Sequence, residues 1–112
     1  MVSDRDPVAA GDCVKSPSEE MLERAEVTTQ FLKSLSHPAR LVILCRLAEG
    51  PAFVGELETM LALPQAVVSK QLARLREDSL VTTTRVGRSI SYALSEDRTN
   101  RIIAVLHKEF CR

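Results

Sequence analysis

Residues 64–94 read PQAVVSKQLARLREDSLVTTTRVGRSISYAL, and the apolar period changes partway along them. From Pro64 or Gln65 to about Glu77, the residues Val67, Val68, Leu72 and Leu75 recur at helical spacing as a buried set, leaving Ser69, Lys70, Gln71 and Arg74 for other faces. Past Leu80 the period becomes two. Val81 to Val86 is β-prone, Gly87 and Arg88 make a turn, and Ser89 to Leu94 alternates polar with apolar, so this half predicts a hairpin.

Working upstream, a short helix is expected at about residues 53–61, with Val54, Leu57, Met60 and Leu61 inward and Ala62, Leu63 and Pro64 as the turn that follows. Before it, Ser36-His37-Pro38 opens another helix, because proline at the first helical position gives up no hydrogen bond and the residue ahead of it caps. Leu41, Leu44, Cys45 and Ala48 share one face there, and Gly50 with Pro51 stops the helix near Glu49. A first helix is expected from about 18 to 35, opened by Ser18 with Glu19 and Glu20 in its first turn. Its stripe Met21, Ala25, Thr28, Leu32 and Leu35 suits either a core or a dimer seam. Downstream, Ser95 opens a last helix with Ile102, Ile103, Leu106 and Phe110 on one side. Residues 1–17, with Pro7, Gly11, Pro17 and almost no large apolar residues, read as a mobile tail, and residues 18–112 as one domain.

Composition bounds the function. A chain of 112 residues has room for one core, and fifteen basic residues against fifteen acidic ones give no net charge. A nucleic-acid binder is often strongly basic. Here the charge is segregated: residues 64–94 carry a balance of +3 and residues 1–30 a balance of −4. The longest apolar run, Leu41 to Cys45, is far short of the roughly twenty residues of a membrane span, and Met1 to Cys13 has no apolar h-region. A cytoplasmic protein with no membrane association is therefore expected. Three cysteines, Cys13, Cys45 and Cys111, fit neither a disulfide scaffold nor a CxxC pair.

Helix, helix, short helix, turn, helix and basic hairpin is the order of a winged helix-turn-helix, mainly α with a small β-hairpin wing (ααααββα). In that fold a short helix braces a second one that enters the major groove. From Phe31 to Leu94 the chain resembles the ArsR/SmtB family of bacterial repressors: LSHPARLVILCRLAEGP is similar to its second helix, LPQAVVSKQLARLREDSLV to its recognition helix and exit, and RVGRSISYAL to its wing. The resemblance implies a homodimeric repressor of double-stranded operator DNA, joined through its first and last helices. Gln65, Ser69, Lys70, Gln71 and Arg74 match the DNA-reading helix, with Gln71 suited to offer its amide to adenine, and Arg85 and Arg88 match the wing's backbone contacts. The same side chains also read as a solvated face, and Arg76 as a partner for Asp78. Ser79 departs from the family, which usually has Gly before Leu80; if the backbone there is left-handed, a side chain costs on the order of 1 kcal/mol.

Many relatives respond to metals, but the third helix, FVGELETML, has no thiolate pair and the last helix has one histidine, His107. Neither set supplies the three or four ligands of a tetrahedral site. No metal and no cofactor is expected, and His37 reads as a helix-start residue. Cys45 and Cys111 instead match the persulfide-responsive SqrR/BigR branch of the family, where the resemblance implies two thiols that sulfane-sulfur donors bridge, weakening operator binding; Cys13 is a possible accessory. Sulfide-oxidation or detoxification genes are the implied targets. A disulfide needs Cα atoms roughly 4.4 to 6.8 Å apart and each added sulfur extends the reach by at most about 2 Å, so a pair held slightly too far apart distinguishes polysulfide from peroxide. The competing readings are the same fold driven by a simple disulfide, an electrophile or a metal, a thiol enzyme built on Cys111 and His107, and an interaction module without DNA binding. An enzyme is not expected.

Overall fold

The computed structural model describes residues 14–111, so the expected tail, including Cys13, lies largely outside the described residues. The elements in chain order are α1 (Pro17–Leu35), α2 (Pro38–Ala48), β1 (Ala52–Phe53), α3 (Val54–Leu61), α4 (Gln65–Glu77), β2 (Val81–Val86), β3 (Ser89–Leu94) and α5 (Asp97–Phe110). The chain divides into one unit up to residue 30 and a second from residue 31. No described helix is long and apolar enough to cross a membrane.

In the first unit α1 starts slightly earlier than expected. The cap is Ser16: its hydroxyl accepts from the Glu19 N–H at 3.2 Å, and its own N–H donates to Glu19 Oε1 at 2.8 Å, the reciprocal pair of a capping box. Met21, Leu22 and Val27 are exposed on this helix.

The second unit holds the core, built from Leu35, Ile43, Leu44, Leu47, Ala52, Leu57, Val68, Leu72, Leu75, Leu80, Val81 and Ile103. The buried face of α2 is Arg40, Ile43, Leu44 and Leu47. It stands one helical position away from the expected set, and Leu41 and Cys45 lie beside it. On α4 Val68, Leu72 and Leu75 are buried as expected, whereas Val67, expected in the core, is exposed and Gln71 is buried in addition. Met60 of α3 is exposed too, and Leu57 alone is fully buried from that helix. Adjacent apolar residues on a helix differ by about 100° in direction, so a run such as Val67-Val68 does not itself say which member faces in.

Caps and turns fix the joints. His37 caps α2 as expected, its Nδ1 accepting from the Ala39 N–H at 3.1 Å. The hairpin is as expected, pairing Val81 with Leu94 and Val86 with Ser89 around a turn in which Gly87 takes φ of +62°. One strand is added to the expected order. Ala52 and Phe53 pair antiparallel with Tyr92 and Ser91, giving a three-stranded sheet in the order β1-β3-β2. Two residues are too few to show a period.

α4 ends in a Schellman motif: Leu80 N–H donates to Leu75 O at 2.9 Å, and Ser79 N–H to Arg76 O at 3.0 Å. This closure requires the left-handed region at Ser79, where φ is +61°. The residue that replaces the family's glycine therefore carries the conformational cost expected of it. Ser79→Gly is expected to raise stability by about 1 kcal/mol in urea unfolding; an unchanged or lower midpoint would contradict the cost.

Arg40 is 9% exposed, and its guanidinium is spent on three carbonyl-type acceptors. Nε donates to Ser34 O at 2.8 Å, Nη2 to Lys33 O at 3.2 Å, and Nη1 to Gln71 Oε1 at 2.8 Å. The first two acceptors belong to the last turn of α1, where unpaired carbonyls and the helix dipole favour a cation. Ser34 Oγ in turn donates to Asp78 Oδ2, which also accepts from Arg74 Nε at 3.2 Å. The end of α1, the start of α2, and the middle and C-cap of α4 are thus tied together. Arg40→Met keeps the stem and removes the donors, and a loss of about 2–4 kcal/mol is expected in chemical denaturation because the acceptors stay buried. A variant as stable as the parent would show that the network contributes nothing net.

Candidate nucleic-acid interface and thiol cleft

Between α3 and α4 the chain turns in three residues. Ala62 takes the left-handed conformation at φ of +55°, and Pro64 is the N-cap of α4, its carbonyl accepting from the N–H groups of Val67 at 3.0 Å and Val68 at 3.1 Å. With Val68, Leu72 and Leu75 buried against the core, α4 leaves Gln65, Ser69, Lys70, Arg74 and Arg76 exposed. Lys70, Arg76, Arg85 and Arg88 make no ion pair among the described residues. Arg85 lies on β2 opposite Ile90, and Arg88 occupies the hairpin tip. A groove of about 400 Å³ between α4 and β3 is lined by Ser69, Ala73, Arg76, Glu77 and Tyr92. This arrangement gives a protruding helix beside a basic hairpin, with a gap between them.

One expected site residue, Gln71, and the partner of Asp78 are placed differently from the sequence reading. Gln71 is 8% exposed, and its carbonyl oxygen is occupied by Arg40, so it positions α4 and does not offer a free amide to a base. Asp78 pairs with Arg74, and Arg76 instead lines the groove. The pair fixes the stem of Arg74 while much of its side chain stays in solvent. Sequence reasoning did not single out Arg40 or Tyr92. For Arg40 the available signal was its place on the same face as Ile43, Leu44 and Leu47, since a charged residue at core spacing needs partners.

The thiols form a second locus. Cys45 on α2 is half-buried and Cys111, at the end of α5, is exposed. Both line one cleft of about 420 Å³, together with Leu41, Val42, Ile103, Leu106, His107 and Phe110. The Cys111 N–H donates to His107 O at 2.9 Å, which ties the thiol to the last turn of α5. Among the described residues no group of three or more His, Cys, Asp or Glu could hold a metal ion.

Residues 37–83 match the family of bacterial regulatory proteins named arsR, which spans the end of the α1–α2 joint through the first half of β2. A biofilm growth-associated repressor of Agrobacterium fabrum is 43% identical over 100 residues, covering 89% of this chain and 86% of the relative. Among solved structures, the transcriptional repressor BigR from Xylella fastidiosa superposes with a TM-score of 0.82 at 39% identity, covering 87% of this chain and 99% of that one. Reduced HlyU from Vibrio cholerae gives 0.79 at 35% identity, with 84% and 99% covered. Sequence, architecture and the basic helix-and-hairpin surface agree, and the chain belongs to the arsR family of bacterial regulatory proteins as a winged-helix, DNA-binding transcriptional repressor.

Proposed function

We propose that this repressor works as a homodimer that holds a two-fold operator and releases it when sulfane sulfur bridges Cys45 and Cys111. The observation that carries this reading is the shared cleft: two thiols, from helices far apart in sequence, line one apolar recess of a single chain. Dimerisation through α1 and α5 is supported by their exposed apolar side chains, Met21, Leu22 and Val27 on the one and Val105 and Phe110 on the other.

On DNA, Gln65, Ser69, Lys70 and Arg74 present from α4 to the major groove, and Arg85 and Arg88 reach phosphates or the minor groove from the wing. Gln71 acts indirectly, by holding α4 to Arg40. The zero net charge of the chain keeps non-specific attraction weak, so affinity depends on the paired surface of the dimer.

The chemistry balances with a sulfane-sulfur donor as the oxidant. One thiolate attacks a zero-valent sulfur and expels the donor's remainder as a thiolate or sulfide; the second thiolate attacks the sulfur now attached, expels the other fragment, and closes a bridge containing the inserted sulfur. The cysteines are oxidised and the donor is reduced. The bridge then fixes α2 against α5. Arg40, on the same helix as Cys45, carries that constraint to Gln71 and so to α4. Two half-sites about 34 Å apart tolerate little change in the spacing of the reading helices.

Two tests follow. In titrations of a duplex from the region upstream of the protein's own coding sequence, Lys70→Ala with Arg88→Ala should lower affinity and make the salt dependence shallower by about two logarithmic units of slope; an unchanged slope would remove these residues from the interface. Reduced Cys45→Ser and Cys111→Ser should bind that duplex as the parent does and fail to release it with polysulfide. Release by both variants would overturn the sensor assignment. Mass spectrometry of the treated parent separates the inputs: added sulfur between the two cysteines supports the reading, whereas a bare disulfide, an adduct or bound metal identifies another signal.

A further inference from the structure

We propose that the cleft between α2 and α5 selects its sulfur donor by polarity, taking uncharged organic polysulfides R–S–S–S–R with aliphatic R in preference to anionic donors built on the same sulfur chain. This rests on the sensor reading above and adds the class of molecule that delivers the sulfur.

The walls of the cleft are Leu41 and Val42 from α2 and Ile103, Leu106 and Phe110 from α5. Besides the two thiols, His107 is its only polar lining side chain, and no lysine or arginine of the described residues lines it. A donor bearing carboxylates would have to shed water from them without gaining a lysine or arginine partner among the described lining residues. An aliphatic group gains from burial against Leu41, Val42 and Ile103, and the sulfur chain, itself soft and polarisable, gains from the Phe110 ring. At about 420 Å³ the cleft lies in the range of small-molecule sites, roughly 300–1,000 Å³, so it admits a short dialkyl trisulfide.

The reaction needs no further oxidant. The first cysteine thiolate attacks the central sulfur and releases one RS⁻, leaving protein–S–S–S–R. The second thiolate attacks that same former central sulfur and releases the second RS⁻. The protein gains one sulfur between Cys45 and Cys111 and loses two protons to the thiolates, while the trisulfide is reduced to two thiols. Cleft walls that favour R bring the chain of sulfurs to both cysteines before the first bond breaks.

The test uses the reduced full chain with dipropyl trisulfide and glutathione trisulfide, which share the reacting unit and differ in charge. The rate of bridge formation is followed by mass spectrometry, each rate divided by that of the same donor with N-acetylcysteine amide to remove intrinsic reactivity. The normalised rate with dipropyl trisulfide should exceed that with glutathione trisulfide by about tenfold. Val42→Lys, which puts a cation at the half-exposed wall, should bring the two donors close to parity, and Val42→Leu should keep the preference. Equal normalised rates in the parent, with bridging observed, would overturn the selectivity and leave the sensor reading standing. Bridging by neither donor would overturn both.

Discussion

The buried guanidinium of Arg40 is the contact on which the arrangement of the second unit depends. A charged group taken out of water costs several kcal/mol unless its donors are met, and here the end of α1 supplies two carbonyls and α4 supplies the Gln71 amide oxygen. The consequence reaches past stability. α4 is packed on the core by Val68, Leu72 and Leu75. A directional, charge-assisted bond from Arg40 meets it at mid-helix, and Asp78 adds a tie at its C-cap through Ser34 and Arg74. The helix that carries Ser69 and Lys70 is therefore held by polar contacts at its middle and at its C-terminal end.

The same helix that anchors α4 also carries one of the thiols. Arg40 and Cys45 lie on α2 on different faces, one turned to α1 and α4 and the other to α5. A covalent link at Cys45 acts on a rigid element whose opposite face grips the reading helix. Under the proposed function this is why a change in an apolar recess, away from any base or phosphate, bears on DNA affinity: the coupling has a physical carrier with one named hydrogen bond. Within the recess Cys45 is half-buried, while Cys111 is exposed at the end of α5.

Much of this was legible in the sequence because it was local. The change of period at Leu80, the His37-Pro38 start, the Gly87 turn and the basic tip each follow from a few neighbouring residues, whereas the left-handed backbone at Ser79 was signalled only by the resemblance to a family with glycine there. What was not legible is what depends on distant partners. Gln71 occupies a helix position that looks outward by composition and inward by rotation, and its partner Arg40 is thirty-one residues away. Strand β1 is two residues long and exists because β3 offers an edge. Cys45 shares a face with Leu41, Leu44 and Ala48 in the sequence, and in the fold it borders the core while also lining the cleft with α5, because the buried face of α2 is rotated by one position.

Under the proposed function one covalent event, bridging of Cys45 to Cys111, changes DNA binding. The most direct measurement titrates polysulfide into the operator complex and follows, in the same samples, the fraction of chains carrying an intramolecular Cys45–Cys111 sulfur bridge and the fraction of DNA released. The two are expected to rise together across the whole titration. Release that precedes the bridge, or bridged protein that stays on the operator, would contradict that coupling.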